Sequence, residues 1–269
     1  MLHKKIELYE TGSHNAYFTT YFIESNAEIT NRKRPVAVIC PGGAYCSISC
    51  REGEPIALQF LSRGYHAVVL NYSIYPDATY PTALLELGRV VQMLREKSDE
   101  WLVDTDRIFL VGFSAGGHLA ASYSCLWAEK MIAEGLNCPK EMLKPDALIL
   151  GYPVITPEHT LGGSFRHLLG DRYDVLIDEM SLEKRVNSSN PPTFLWHTAT
   201  DEAVSYVNSL LFEKALKEKN IPVKLTIYPE GKHGLALANE VTAIDDSHIL
   251  LSCQDWFDRA LEWIKAISK

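Results

Sequence analysis

Nowhere do the 269 residues contain an apolar run approaching the ~18 needed to span a bilayer. The opening MLHKKIELYE has basic residues but lacks the ~7–15 apolar residues that follow them in a secretory leader. The expectation is a soluble, cytoplasmic protein, with a mature secreted form that has lost its leader left open. Positive charge is scarce too. Lys and Arg number 26 against 34 Asp and Glu, the formal net charge is −8, and the longest basic run is Arg32-Lys33-Arg34. That balance argues against nucleic-acid and anionic-membrane partners and for a small or neutral molecule. Six cysteines are too few to be a disulfide scaffold in a chain of this length, so free thiols are expected. Repeats, low-complexity tracts and Gly/Ser linkers are absent, which leaves one domain over residues 1–269; its 46% hydrophobic content is enough for a large core.

What the chain does contain is an alternation of short apolar runs and amphipathic segments, the pattern of βαβ units in an α/β fold. Strands are expected at residues 36–40, 66–72, 108–112, Ala147–Gly151, 193–197 and Val223–Tyr228, with 17–23 as an antiparallel edge. Helices are expected at 55–63, 82–97, 115–128, 204–219 and 247–267. In the last of these, Ile249, Leu250, Cys253, Trp256, Phe257, Ala260, Leu261 and Ile264 fall on one stripe, so the two aromatics read as packing. Residues 152–192 lack a clean period. They read as an insertion after the sixth strand, placed to form a partial lid where α/β sheets bind ligands.

Gly112-Phe-Ser-Ala-Gly116 matches G-x-S-x-G, and it sits between a strand-like run and a small-residue helix, the context of a nucleophile elbow. A serine hydroxyl needs a base, and the base needs an orienting carboxylate. On such a scaffold the acid and then the histidine follow the serine, each in a loop after a later strand. Asp201 and His233 occupy those places. Glu202 competes as acid. Among the other histidines, His3, His14 and His66 precede the serine, His118 lies on its helix, and His159 and His167 lie in the insertion. His197 is inside a strand, and His248 has no strand directly before it.

The oxyanion formed on attack needs backbone N–H donors. Ala115 follows the nucleophile, and the Gly-bearing loop of Cys40-Pro-Gly-Gly-Ala-Tyr45 follows an early strand, making Gly43 and then Ala44 the further candidates. Tyr45, Tyr72 and Tyr75 are candidate pocket walls. Cys40, Cys46 and Cys50 could instead form a metal or redox site, but C-x5-C-x3-C is not a zinc spacing and no fourth ligand follows closely. No metal and no cofactor is expected, and nothing in the chain decides against a homo-oligomer.

Taken together, Pro41-Gly-Gly-Ala-Tyr45, Tyr80-Pro81, Trp101-x-x-Asp104-x-x-Arg107-Ile108, Gly112-Phe-Ser-Ala-Gly-Gly-His-Leu119, Pro191-Pro192, Asp201-x-x-Val204 and Gly231-x-His233-Gly234 give the chain its resemblance to the α/β-hydrolase superfamily. Within it, the chain resembles the small carboxylesterases of the acetylxylan-esterase-like and hormone-sensitive-lipase-like groups. The resemblance implies a mostly parallel sheet of about eight strands, a triad of Ser114, Asp201 and His233, and hydrolysis of small acyl esters such as O-acetyl groups on sugars. Many relatives carry His-Gly-Gly-Gly at the oxyanion loop; here Pro41 and Ala44 replace its first and last residues, and Ser181 lacks the proline that often follows it. An amidase or formamidase of the same fold is the nearest alternative. A peptidase of this architecture usually adds a propeller domain that this length cannot hold.

Overall fold

A computed structural model describes residues 1–9, 15–25, 28 and 32–267. Its centre is an eight-stranded sheet: β1 (Lys5–Glu7), β2 (Tyr17–Tyr21), β3 (Arg34–Cys40), β4 (His66–Asn71), β5 (Val103–Phe113), β6 (Ala147–Gly151), β7 (Thr193–Thr198) and β8 (Val223–Tyr228). The spatial order is β1-β2-β4-β3-β5-β6-β7-β8; β1 and β2 pair antiparallel and every pairing from β4 onward is parallel. The sequence places an antiparallel strand at 17–23 correctly but as the edge, whereas β1 lies outside it. Three residues of mixed polarity carry too little period to announce themselves.

Alternation along each strand distributes side chains to the two faces. On β3, Val36, Val38 and Cys40 enter one core cluster while Ala37 and Ile39 enter the other. The first face is covered by α2 (Thr82–Glu96) and α3 (Ser114–Leu126), with α4 (Lys130–Leu136) beyond them. The second is covered by α1 (Glu54–Ser62) and a C-terminal helix. Coverage on both faces is why these strands read as continuous apolar runs.

The C-terminal helix is shorter than its apolar stripe suggests. Residues 246–253 contain two 3-10 turns, Asp246–His248 and Leu251–Cys253, before the helix proper begins at Trp256 and runs to Ile267. Between the turns Ile249 and Leu250 are extended, and the Leu250 amide is bonded to the carbonyl of Ala238. A tertiary hydrogen bond has overridden the helical period. Trp256 and Phe257 pack as expected, the first stacked on Trp196 and the second edge-on to Phe60.

The insertion contains two short helices, α5 (Ser164–Leu169) and α6 (Tyr173–Leu176), among 3-10 turns. It is followed, after β7, by α7 (Val207–Glu218); the C-terminal helix is α8. Asn208 on α7 accepts the amides of Ile155 and Thr156 and donates to the carbonyl of His159, clipping the start of the insertion to that helix. Parallel register places Cys40 beside Gly112 and Phe113 beside Gly151, so the loops leaving β3, β5 and β6 emerge at one edge. Thr198 is level with Tyr228 at the ends of β7 and β8.

Candidate active site

Ser114 stands at the junction of β5 and α3 with φ +51°, a left-handed conformation that few non-glycine residues adopt and that is common at functional turns. Glycines make the turn physically possible. A Cβ on Gly112 would lie 2.5 Å from the carbonyl oxygen of Gly116, and one on Gly116 would collide with the carbonyls of Cys40 and Pro41. Only bare backbone lets α3 close onto β3 and β5 there.

The serine hydroxyl lies 2.8 Å from Nε2 of His233, and Nδ1–H of His233 donates to Oδ2 of Asp201 at 2.7 Å. Residues 119 and 32 positions apart thus form one hydrogen-bonded line, in the order expected from the sequence. The Asp201 side chain has no exposed surface, while that of His233 keeps 24%. Oδ1 of Asp201 accepts the amides of Ala203 and Val204 at 3.0 and 2.9 Å. Burial would raise the Asp201 pKa, but hydrogen bonds from His197 and His233 outweigh it and hold the group well below the usual carboxylate range. The line therefore has a hydroxyl, an imidazole to take its proton and an ionised carboxylate to orient that imidazole, which is the equipment for nucleophilic acyl transfer. Glu202 is exposed and takes no part in this line; with His233, Thr200, Glu230 and Lys232 it lines an open groove of about 730 Å³.

The loop after β3 lies directly against the serine. A Cβ on Gly42 would be 2.9 Å from that of Ser114. Gly43 has φ +129°, which favours glycine, and Ala44 and Tyr45 follow at +53° and +59°. The Gly42 amide donates to Glu52, so the Gly43 and Ala44 amides are the loop's candidates to face a substrate oxygen, with Ala115 at the start of α3. Tyr45 and Tyr72 are not open walls: they are 3% and 2% exposed, with hydroxyls bonded to Nδ1 of His118 and the carbonyl of Pro41. Both support the loop from below. Tyr75 is the exposed one at 42%, its ring beside His167.

Several residues were not singled out from sequence. His197, set aside as a strand residue, has Nε2 2.9 Å from the carbonyl of Val204 and 3.3 Å from Oδ2 of Asp201, while Nδ1 accepts from Ser209. His167 donates from Nδ1 to the carbonyl of Ala44, joining the insertion to the loop. Glu52 and Tyr152 are buried beneath it. No motif marks these: His167, Glu52 and Tyr152 act through partners far along the chain, and His197 through the loop that β7 feeds into. His14 lies outside the described residues. Cys40 is buried, whereas Cys46 and Cys50 are exposed; among the described residues no group of three or more His, Cys, Asp or Glu is placed to hold a metal ion. Nor is any described helix long and apolar enough to cross a membrane.

Against known proteins, the profile of the BD-FAE family matches residues 24–216, a span that includes the Gly42 loop, Ser114 and Asp201. The chain belongs to the BD-FAE family. This BD-FAE chain is 36% identical over 213 residues to endo-1,4-beta-xylanase B of Butyrivibrio fibrisolvens, covering 77% of itself and 33% of that protein. It spans a third to about half of the length of the curated relatives it matches, 33%, 52% and 39% in three cases. Among solved structures it is similar to the carboxylesterase Cest-2923 of Lactobacillus plantarum, at TM-score 0.90 and 30% identity over 100% of this chain and 98% of that one. It also resembles an acetyl ester-xyloside bifunctional hydrolase of Caldicellulosiruptor lactoaceticus, at TM-score 0.85 and 33% identity over 98% and 96% of the two chains. The fold is that of the α/β hydrolases.

Proposed function

We propose that this protein is a serine carboxylesterase that removes small acyl groups, O-acetyl groups on sugars or similar alcohols, through an acyl-enzyme. The observation that carries the reading is the unbroken line from the Ser114 hydroxyl through His233 to buried Asp201. Ser114 attacks the ester carbonyl while His233 takes its proton. The tetrahedral oxyanion is held by the amides of Gly43 or Ala44 and of Ala115, and Asp201 stabilises the imidazolium. His233 then protonates the leaving alcohol, and water activated by the same imidazole releases the acid. Residues 152–192 serve as a partial lid, tied to the oxyanion loop at His167. Acetyl and sugar specificity is supported by the names of the relatives, among them the acetyl ester-xyloside hydrolase.

Hydrolysis of p-nitrophenyl esters from acetyl to decanoyl tests the proposal. Activity should peak at acetyl to butyryl, vanish in Ser114→Ala and persist in a chelator. Activity surviving the serine substitution would sink the mechanism, and a decanoyl optimum would remove the small-acyl assignment. Amide and formamide analogues in parallel decide against the amidase alternative if they turn over far more slowly than esters.

A further inference from the structure

Between the oxyanion loop and α1 the chain makes a single 3-10 turn, Cys50–Glu52. Its last residue, Glu52, is only 3% exposed. A carboxylate is rarely buried to that extent without donors to satisfy it. Here Oε2 accepts the Gly42 amide at 2.7 Å and Oε1 accepts the Tyr152 hydroxyl at 2.7 Å. The Tyr152 oxygen in turn accepts the amide of Ala236 at 2.9 Å, three residues beyond His233, and its ring stands edge-on to the His233 imidazole with centroids 5.1 Å apart. Neighbouring Arg51 reaches the same segment, donating to the carbonyls of Gly234 and Thr242. Two consecutive side chains therefore join the loop after β3 to the loop after β8, by a route that does not pass through Ser114.

The Gly42 peptide is wedged between Glu52 and the serine: a Cβ there would be 2.8 Å from Oε2 and 2.9 Å from the Ser114 Cβ. Any shift of that peptide moves the next two amides, Gly43 and Ala44. We propose that Glu52 is a positioning residue, whose carboxylate sets the oxyanion-loop amides and, through Tyr152, the His233 segment about Ser114. The inference rests on the triad and oxyanion roles proposed above. It concerns the transition state rather than ground-state binding, because the amides matter most once charge develops on the carbonyl oxygen.

The test compares Glu52→Ala, Glu52→Gln and Tyr152→Phe with the wild type on p-nitrophenyl acetate, with thermal melts alongside and Ser114→Ala as control. Alanine removes both acceptors and should lower kcat about 10²-fold, the size of effect seen when one oxyanion donor is lost, with KM within about threefold. Glutamine keeps a carbonyl for Gly42 but turns its NH2 towards Tyr152, whose hydroxyl proton loses its acceptor, so one of the two links survives. It should restore kcat to within about tenfold of wild type, and Tyr152→Phe should lie about tenfold below wild type, since one link of the chain is cut. Wild-type kcat in Glu52→Ala, a loss carried by KM, or glutamine no better than alanine would each overturn the proposal. Should the alanine variant not fold, an unchanged kcat in Tyr152→Phe would overturn it instead. If Ser114→Ala stays active, the esterase mechanism falls; if it is silent while Glu52→Ala is unimpaired, only the role of Glu52 falls.

Discussion

Replacing Asp201 by Asn changes one atom's chemistry in a site whose hydrogen bonds are fully assigned. Oδ1 must remain oxygen, because it accepts two backbone amides, those of Ala203 and Val204. The new NH2 then occupies the Oδ2 position, where it meets Nδ1–H of His233 at 2.7 Å and Nε2–H of His197 at 3.3 Å: a donor against two donors. His233 can relieve the conflict only by moving its proton to Nε2, and that nitrogen then has no lone pair for the Ser114 proton. Turning the amide over instead would strand the amides of Ala203 and Val204, at about 1–3 kcal/mol for each. Either way the competent tautomer is lost. A wrong-tautomer aspartate-to-asparagine change in a serine triad lowers kcat about 10⁴-fold, or about 5 kcal/mol in the barrier. Steady-state hydrolysis of p-nitrophenyl acetate at pH 7 to 8, with a thermal melt to show a folded variant, measures this. Glu202→Gln is the paired control and should stay close to wild type, since Glu202 is exposed and outside the line. A folded Asn variant that loses less than about 30-fold, where the tautomer argument demands ~10⁴, would refute the reasoning.

Burial holds His66 and His118 at a pKa of about 4, below the ordinary 6.5. The unfolded chain then binds protons in this window while the native chain does not, so stability should fall as pH drops from 6.5 towards 4, by up to about 3 kcal/mol per histidine. Denaturant midpoints at pH 7, 5.5 and 4.5 would show the slope, and His118→Gln should about halve the histidine contribution to it, leaving that of His66; a flat wild-type profile refutes the account. Gly116→Ala forces a methyl against the carbonyls of Cys40 and Pro41, which should cost about 1–3 kcal/mol in a denaturation curve and a larger share of kcat, because those carbonyls lead from β3 into the Gly42 loop beside Ser114. An unaffected kcat would separate α3 packing from the site. Thiol alkylation should modify exposed Cys46 and Cys50 and leave buried Cys40, whose thiol burial pushes far above its usual range. Because the Cys46 sulfur lies 3.5 Å from the Gly43 carbonyl, alkylation should lower kcat in the wild type and not in Cys46→Ser, as read from ester hydrolysis before and after treatment.

Much of the scaffold was legible because its rules are local. β3, β4, β6, β7 and the second half of β5 are largely buried on both faces, so each writes an apolar run, while β8 at the sheet edge alternates; G-x-S-x-G between a strand and a helix carries its own geometry. What escaped was settled by distant partners. Three residues suffice for β1 because β2 supplies its ladder. The apolar stripe from Ile249 breaks because the Ala238 carbonyl takes the Leu250 amide and holds that stretch extended.

The same distinction explains which site residues could be found. Ser114, Asp201 and His233 each sit at a strand end, where a turn announces itself through Gly, Pro or Asp, so chain order alone assembles them. Their supports sit inside elements and have no such mark. His197 is one residue in a fully buried strand, and Glu52 belongs to a turn that looks like any helix entry. Glu52 meets Tyr152 100 positions away, and Tyr152 meets Ala236 84 positions further on. These contacts depend on β3 and β6 ending level with β5, where Cys40 pairs with Gly112 and Gly151 with Phe113. A one-residue slip in either pairing would turn every side chain of that strand to the opposite face and detach Glu52 or Tyr152 from the other. The precision of the site is thus set by sheet register. For that reason, substitution at a buried, motif-free position such as Glu52 should lower kcat about as much as loss of one oxyanion donor, about 10²-fold, though less than Ser114→Ala.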